Sequence, residues 1–404
     1  MRKVLIILML SLTALVLSSC WNRTELNELR ITTATGVDFK DGKWLATYQT
    51  IVPSSMASGT GGISGGITQP GIHVFSVKAD TFNKARNLSN LETSRRLYVA
   101  HNKVVVIGKA AAEEGISELI DVYLRSTEAR ETTYMLVTDG QATEFLKKMV
   151  PPEKLPGASY SEILDKENKL VSIFPKISIY DFALHLYSDS KSIGVPVVTL
   201  SGEETTQNNK DLESLDALKT TAQPLKLTLS RLGIFQKDKL VGWLNRQESK
   251  GLSWLTDKIK GTEISFSCSD HEKKQNSITV ISSKTKLKPS KLDNHYTMLV
   301  KINANGVLME SVCKEDLSKP EVISALQEII EEQIKDDVNA AWDALQRLGV
   351  DTPGFANIIH RKYPKDWKEV KDDWDNEFKK MELNIQVRVT IKRPGLIQKS
   401  FNAS

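Results

Sequence analysis

The first 20 residues constrain this chain most, because they have the pattern of a segment that is removed before the protein folds. Arg2 and Lys3 are followed by an apolar run from Val4 to Val16. A run of about 13 residues is shorter than the roughly 20 that a membrane-spanning helix needs. A basic start, a short apolar stretch and small residues before the cut are typical of a secretory signal. We therefore predict that residues 1–19 are a signal peptide and that the mature chain begins at Cys20, outside the cytoplasm.

The residues at this cut, Leu17-Ser18-Ser19-Cys20, resemble a bacterial lipobox. The resemblance implies that Cys20 receives a diacylglyceryl thioether and becomes the mature amino terminus. Two acyl chains, at ~0.8 kcal/mol per buried CH₂, make a stable anchor where one chain holds only marginally. The alternative is an ordinary signal peptide with Cys20 as an unmodified thiol. No later stretch approaches 18 uninterrupted apolar residues, so we expect the chain to be tethered to a membrane without spanning it.

Composition excludes some classes of protein. The chain has 404 residues and a formal net charge of +4, which falls to +2 without Arg2 and Lys3. Lys and Glu are interspersed, whereas a nucleic-acid binder normally carries a concentrated basic face. Hydrophobic residues make up 40% of the chain, which is enough to build cores. Besides Cys20 there are two cysteines, Cys268 and Cys313, which could form a disulfide outside the cytosol or remain free thiols.

Residues 20–220 have a mixed α/β pattern, and we predict two subdomains there. Asp41-Gly42 between two alternating stretches predicts a hairpin. Asp80 is placed to cap a helix that runs to about Glu92, and Arg96 to Gly108 has the pattern of one strand with an apolar centre. Strands alternating with helical segments predict a sheet covered by helices.

Residues 221–404 have a different pattern, which predicts a separate α+β domain. A hairpin over 225–244 has an apolar face that needs a partner, and three alternating strands follow it. Asn305-Gly306 suggests a further turn. Ser318 and Glu321 have capping-box spacing ahead of a long amphipathic helix that Gly349 ends. The predicted fold class is thus α+β and multidomain, with mixed sheets packed with helices and a carboxy-terminal antiparallel sheet backed by one long helix.

The sequence offers little catalytic chemistry. Its six histidines form no pair at metal-ligand spacing with another His, Cys or carboxylate cluster, so we predict no metal site and no cofactor. Ser64 lies in a G-x-S-x-G match, but glycines flank it and no helical pattern follows, which favours a solvated loop. Arg95 and Arg96 could clamp a carboxylate or phosphate, form part of an interface, or end a helix in solvent. We predict a protein that is not an enzyme.

Several motifs, in order along the mature chain, resemble one family. They are Cys20-Trp21-Asn22-Arg23-Thr24-Glu25-Leu26-Asn27-Glu28-Leu29, Ala34-Thr35-Gly36-Val37-Asp38, Arg95-Arg96-Leu97-Tyr98-Val99-Ala100-His101-Asn102-Lys103, Gly233-Ile234-Phe235, Leu240-Val241-Gly242-Trp243-Leu244, Asp351, Gly354-Phe355, Pro364, Trp367 and Trp374. Together with the lipobox, they are similar to those of the Ger(x)C proteins, the lipoprotein C subunits of germinant receptors in endospore-forming bacteria. Asn22 departs from the family pattern, where Asp is usual.

The resemblance implies a function that composition could not indicate. Ger(x)C proteins are non-enzymatic, have three α+β domains, and lie on the outer face of the spore inner membrane. They assemble with two integral-membrane subunits, A and B, in complexes that sense nutrients. For this chain the resemblance implies a role in assembly or signalling, with a bilayer and the A and B subunits as partners. We expect an interaction surface that includes Trp21, Arg23, Glu25, Arg95 and Arg96.

Two other functions are compatible with a lipid-anchored chain. A solute-binding lipoprotein of a transport system would usually have two similar α/β lobes, whereas the two halves here differ in pattern. An extracytoplasmic hydrolase requires Ser64 to be held rigidly at a tight elbow.

Overall fold

The computed structural model of the protein describes residues 2–7, 9, 24–51, 71–149, 156–202, 212–213, 225–267, 275–292, 295–311 and 316–393. The strands are β1 Leu29–Lys40, β2 Lys43–Ile51, β3 Ile72–Ala79, β4 Arg96–Tyr98, β5 Val104–Gly108, β6 Tyr134–Thr138, β7 Ser192–Gly202, β8 Leu225–Gln236, β9 Lys239–Leu244, β10 Thr262–Ser267, β11 Gln275–Leu292, β12 His295–Glu310 and β13 Glu382–Arg393. The helices are α1 Phe82–Leu88, α2 Lys109–Glu114, α3 Ser117–Arg125, α4 Ala142–Leu146, α5 Pro156–Leu170, α6 Ile179–Leu186, α7 Arg246–Leu255, α8 Pro320–Leu348, α9 Phe355–Lys362, α10 Pro364–Val370 and α11 Trp374–Lys380.

The first sheet has the order β3-β2-β1-β5-β6-β7-β8-β9, and the short strand β4 pairs with β1 beside β5. Its centre is parallel, because β1, β5, β6 and β7 run in the same direction, while the strands toward both edges are antiparallel. The predicted turn at Asp41-Gly42 is confirmed. Both residues have positive φ values, 54° and 70°, as a two-residue hairpin loop of this kind requires.

Both faces of the first sheet are buried, which explains the uninterrupted apolar run in β5. Val105 and Ile107 point into a core beneath α1, α2, α3 and α6. Val104 and Val106 point the other way, into a core that continues through the second sheet and α8. Side chains alternate between the faces of a strand, so a strand covered on both sides needs apolar residues throughout.

The second sheet has the order β10-β11-β12-β13 and is backed by α8, as the fold class predicts. At 29 residues and 1.5 Å per residue, α8 is about 44 Å long, and Gly349 ends it in the left-handed conformation. One detail of the prediction is wrong. The sheet is not wholly antiparallel, because β13 returns after α8 to run parallel to β12.

The predicted hairpin at 225–244 finds its partner in the first sheet. Its strands β8 and β9 extend that sheet beyond β7, with Gly233 opposite Val195. The predicted domain boundary between residues 220 and 221 remains a prediction. The boundary between the two sheets lies later, between Leu244 and Thr262.

Two local predictions for the second half are wrong. Asn305-Gly306 is not a turn, because β12 continues through it with a register irregularity. Ser318 does not cap α8. The helix begins at Pro320 with Lys319 as N-cap, and the Ser318 hydroxyl donates to Asp316 instead, at 2.7 Å. Proline suits the first helical turn because its missing N–H has no helical acceptor there.

Two predictions for the first half also need correction. Thr81, not Asp80, is the N-cap of α1, and its hydroxyl accepts the Lys84 amide at 3.2 Å. The segment from Arg96 to Gly108 forms two strands, β4 and β5, rather than one.

The two halves of the chain are closely packed where α7 crosses α8. A Cβ atom built on Gly251 would lie 1.8 Å from the carbonyl oxygen of Asp337, so only glycine allows this approach. The helix after the first sheet is therefore fixed against the helix that backs the second.

A buried carboxyl group ties α5 to the chain that follows it. Glu167 Oε1 accepts the amides of Ile173 and Phe174, at 2.5 and 2.7 Å. Its other oxygen is buried and has no partner among the described residues. Burial raises the pKa of Glu167 from 4.5 to about 7, although the two backbone hydrogen bonds act in the opposite direction.

We predict that Glu167→Gln makes the stability of the protein less dependent on pH. Because the folded-state pKa of Glu167 lies above the unfolded value, the folded protein binds more protons between pH 4.5 and 7. The free energy of unfolding should therefore fall as the pH rises through that window. Gln keeps the acceptor and carries no charge, so the variant should gain about 1–3 kcal/mol on the wild type between pH 4.5 and 8.

Urea unfolding followed by circular dichroism at several pH values measures this difference. Glu162→Gln, on the exposed side of the same helix, is the matched control and should leave the pH slope unchanged. Identical slopes for Glu167→Gln and the wild type would contradict the prediction.

Candidate interaction surface

The residues predicted to form an interaction surface are only partly described. Cys20, Trp21 and Arg23 lie outside the described residues, whereas Glu25, Arg95 and Arg96 lie within them. Ser64, Cys268 and Cys313 also lie outside, so the loop serine and the disulfide alternative stay predictions.

Parallel pairing of β4 with the start of β1 brings the two amino-terminal motif stretches together. Leu29 is aligned with Arg96, Arg30 with Leu97, and Ile31 with Tyr98. The 3₁₀ turn Leu26–Glu28 immediately precedes β1, and the Glu25 amide donates to the Glu28 carboxylate at 3.4 Å. Glu25 and Arg96, although 71 positions apart in sequence, thus belong to adjoining segments at one end of the sheet.

We call this region the amino-terminal surface and define it by Glu25, Leu26, Arg30, Leu91, Arg95 and Arg96. Leu26 and Leu91 are 60% and 80% exposed. Leu91 belongs to the 3₁₀ turn Ser89–Leu91, and this turn is fixed to β4 because the Leu97 amide donates to Asn90 Oδ1 at 3.3 Å. The surface therefore presents apolar and charged side chains side by side, which is a common composition for a protein-binding site.

Guanidinium groups are concentrated on this surface. The Arg30 guanidinium lies over the Phe75 ring at 4.9 Å. Burial, and secondly the charge of Arg95, lower the pKa of Arg30 from its ordinary value. Arg96 forms an ion pair with Glu128, and Arg86 lies 3.8 Å from the same carboxylate. The geometry would suit a partner that supplies a carboxylate or another acceptor, since Arg binds such groups with directed N–H donors.

Other polar residues of the motifs lie inside the protein. The Asn102 amide donates to Thr35 Oγ1 at 3.0 Å and to the Tyr123 hydroxyl at 2.7 Å. Burial raises the pKa of Tyr123 to about 12. This network links β1, the segment after β4, and α3, so it holds β4 in place behind the amino-terminal surface.

Asp38, the last residue of the Ala34–Asp38 motif, holds the start of α4 through its carboxylate. It accepts the Ala142 and Thr143 amides, both at 2.8 Å, and the Thr143 hydroxyl at 2.7 Å. A Cβ on Gly36 would lie 2.9 Å from the Leu146 side chain. Both residues therefore serve to seat α4 against β1.

Asp351 has the same structural role in the carboxy-terminal half. Its carboxylate accepts the Phe355 and Ala356 amides at 2.8 and 2.6 Å, and the Trp374 indole N–H at 3.1 Å. Burial raises the pKa of Asp351 to about 7, against the effect of these hydrogen bonds. Trp342, Trp367 and Trp374 are buried in the same core.

The described residues contain no group of three or more His, Cys, Asp or Glu side chains that could hold a metal ion. Over the same ranges, no helix is both long enough and apolar enough to cross a bilayer. The amino-terminal surface consists of exposed and partly exposed side chains, and the buried hydrogen bonds of Asn102 support it from behind.

Two members of this surface, Arg30 and Leu91, were not predicted from the sequence. Arg30 directly follows the first motif, and the parallel pairing that sets it beside β4 could not be read from local pattern. Leu26 lies inside the first motif, next to the predicted surface residue Glu25. No sequence pattern marks Leu91 as exposed, because its exposure depends on how the turn Ser89–Leu91 packs beside β4.

Two models of protein families match this chain. The family model described as "Spore germination protein N-terminal domain" matches residues 22–200, and that described as "Spore germination B3/ GerAC like, C-terminal" matches residues 230–395. The two models together match most of the chain, in the order expected for a spore germination protein.

Individual relatives agree with this class. Spore germination protein KC of Bacillus subtilis (strain 168) is 29% identical, over 98% of this chain and 97% of its own length. The putative spore germination protein YfkR of the same organism is 23% identical, over 97% of each chain. The crystal structure of the GerBC protein has a similar fold, with a TM-score of 0.56 and 18% identity over 89% of this chain and 96% of that one. The chain belongs to the Ger(x)C family.

We predict that the buried and exposed motif residues respond differently to truncation. Asn102→Ala removes both donors and leaves a buried tyrosine hydroxyl and threonine without their partner, so the free energy of unfolding should fall by about 1–3 kcal/mol. Arg96→Ala removes an ion pair with a half-exposed arginine, which should cost less than about 1 kcal/mol. Urea denaturation of both variants measures the difference. Equal losses would show that Arg96 supports the fold rather than the surface.

Proposed function

We propose that this protein is a lipid-anchored subunit of a nutrient germinant receptor. In this proposal Cys20 carries the acyl chains and holds the protein at the outer face of the spore inner membrane. The amino-terminal surface contacts two integral-membrane subunits of the same receptor, corresponding to the A and B subunits. The chain contributes to assembly or signalling and carries out no catalysis of its own.

One observation carries the proposal: the two family motif stretches adjoin in space, on an exposed surface close in sequence to Cys20. Glu25 comes five positions after Cys20, and an extended chain spans at most about 3.6 Å per residue, or roughly 18 Å. A lipid on Cys20 would therefore keep this surface within reach of the bilayer. The membership in a family of spore germination proteins supports the same reading.

We predict that Cys20→Ala releases the protein from membranes without unfolding it. No described helix can cross a bilayer, and the two exposed leucines of the amino-terminal surface could replace only a small part of two acyl chains. Membrane sedimentation followed by immunoblotting measures the distribution, and circular dichroism verifies folding. If the variant still sediments entirely with membranes that lack the other subunits, lipid on Cys20 is not the anchor.

We predict that reversing two charges on the amino-terminal surface disrupts receptor assembly. Arg95→Glu combined with Arg96→Glu should reduce the recovery of integral-membrane subunits about tenfold, which corresponds to roughly 1.4 kcal/mol of binding free energy. The measurement is a mild-detergent pull-down of the tagged protein from spore inner membranes, with co-purifying chains identified by mass.

The matched control is Arg125→Glu, which reverses a charge on α3 at a side chain 78% exposed and paired with Asp121. It should leave recovery unchanged. Full recovery with the double variant would remove the amino-terminal surface from the interface. Recovery of a transporter ATPase and permease instead would support the alternative, a solute-binding lipoprotein.

A further inference from the structure

The strand β13 lies at one edge of the second sheet, where it pairs with β12 on one side only. Successive residues of a strand turn their N–H and C=O groups to opposite sides, so every second residue of β13 presents these groups on the side away from β12. Such an unpaired side can accept another strand. The hydrogen bonds on this side of β13 show which of its backbone groups remain available.

Side chains of α8 already bond to the far end of this side. Glu331 Oε1 accepts the Val389 amide at 2.8 Å, and Gln327 Oε1 accepts the Ile391 amide at 3.2 Å. Because these two amides point to α8 side chains, the odd-numbered residues of β13 face away from β12 and the even-numbered residues pair with it.

Three odd-numbered residues in the first half of β13 remain open. Just before the strand, Gln346 Nε2 donates to the Met381 carbonyl at 2.9 Å, so α8 side chains bond the backbone on both sides of these three. Within the described ranges, no hydrogen bond reaches the outward backbone groups of Leu383, Ile385 or Val387. Their side chains pack half-buried against the core. We call residues 383–387 the open edge.

The backbone of the open edge is complementary to itself. If two copies run antiparallel with Ile385 opposite Ile385, Leu383 of each copy lies opposite Val387 of the other. All three residues then exchange N–H···O=C bonds with their counterparts. A shift by two residues in either direction would set one of the three opposite Met381 or Val389, whose outward groups already bond α8.

The exposed side chains match in the same register. Glu382 lies opposite Arg388 of the second copy and Arg388 opposite its Glu382, while Asn384 and Gln386 face each other in the same way. All four side chains are exposed, and neither charged one has an ion-pair partner among the residues that the structure describes. Directly opposite residues of this kind have Cα atoms about 4.5 Å apart, where opposite charges favour pairing.

We propose that β13 pairs with β13 of a second copy of this chain through the open edge, which joins the two four-stranded sheets into one continuous sheet. The backbone groups and the neighbouring charges are both self-complementary, and this identifies the occupant as a second copy. A two-fold axis through the pair of Ile385 residues relates the two chains, as is usual for homodimers. This inference stands on β13 and does not depend on the receptor assignment.

Charge reversal tests this register on the chain from residue 20 onward, with Cys20→Ala so that no lipid is attached. Sedimentation equilibrium should show that this chain dimerises reversibly between micromolar and millimolar concentrations. Glu382→Arg and Arg388→Glu should each weaken dimerisation about tenfold, because each replaces two ion pairs of the dimer with two pairs of like charge. Lys166→Glu, on the exposed side of α5, is the matched control and should leave dimerisation unchanged.

An equimolar mixture of the two charge-reversal variants decides whether the two strands pair as proposed. In the mixed dimer both opposing pairs again have opposite charges, so the mixture should dimerise as tightly as the unchanged chain. A chain that carries both substitutions should do the same. The proposal is overturned if the unchanged chain stays monomeric up to millimolar concentration, if neither single substitution weakens the dimer, or if mixing the variants fails to restore it.

Discussion

The parallel pairing of β1 with β4 and β5 is the contact on which the rest of the structure depends. β1 has β2 on one side, and on the other β4 over its first residues and β5 further along. Its start places the amino-terminal surface, while its end supplies Asp38 to seat α4. The Asn102 network then fixes β4 to β1 from behind. Because one strand sets all of these positions, the exposed motif residues rest on a rigid element, which is the arrangement that precise recognition requires.

Local pattern predicted the elements that depend on nearby residues. Asp41-Gly42 sets a hairpin because both residues tolerate positive φ, and Gly349 ends α8 for the same reason. The apolar centre of Arg96–Gly108 predicted a strand, and the alternation of strands with helical segments predicted a sheet covered by helices. By contrast, the direction of β13 and the docking of β8 and β9 onto β7 depend on contacts between distant segments. Side chains alternate between the two faces of a strand in parallel and antiparallel pairs alike, so this alternation does not indicate the direction of the strand.

The amino-terminal surface could be predicted only in part. Motif resemblance identified Arg95 and Arg96, and the structure sets them beside the first motif, but resemblance could not separate supporting residues from exposed ones. Asn102 belongs to the same motif as Arg95, and Asp351 is a later motif residue, yet both are buried and hydrogen-bonded within the protein. Leu26 and Leu91 show the opposite case, since exposure of an apolar side chain is a property of the assembled surface. The physical distinction is burial, which a sequence specifies only through the whole fold.

The close contact of α7 with α8 fixes the two halves of the chain against each other. Gly251 lets α7 approach Asp337 of α8. Leu252 and Leu255, on the same helix, are buried in a core that includes Val104 and Val106 of the first sheet and continues through the second sheet and α8. Protein interiors have low compressibility and transmit strain. Because one buried core joins both sheets, a displacement of the strands that place the amino-terminal surface acts on the same packed body as a displacement of α8.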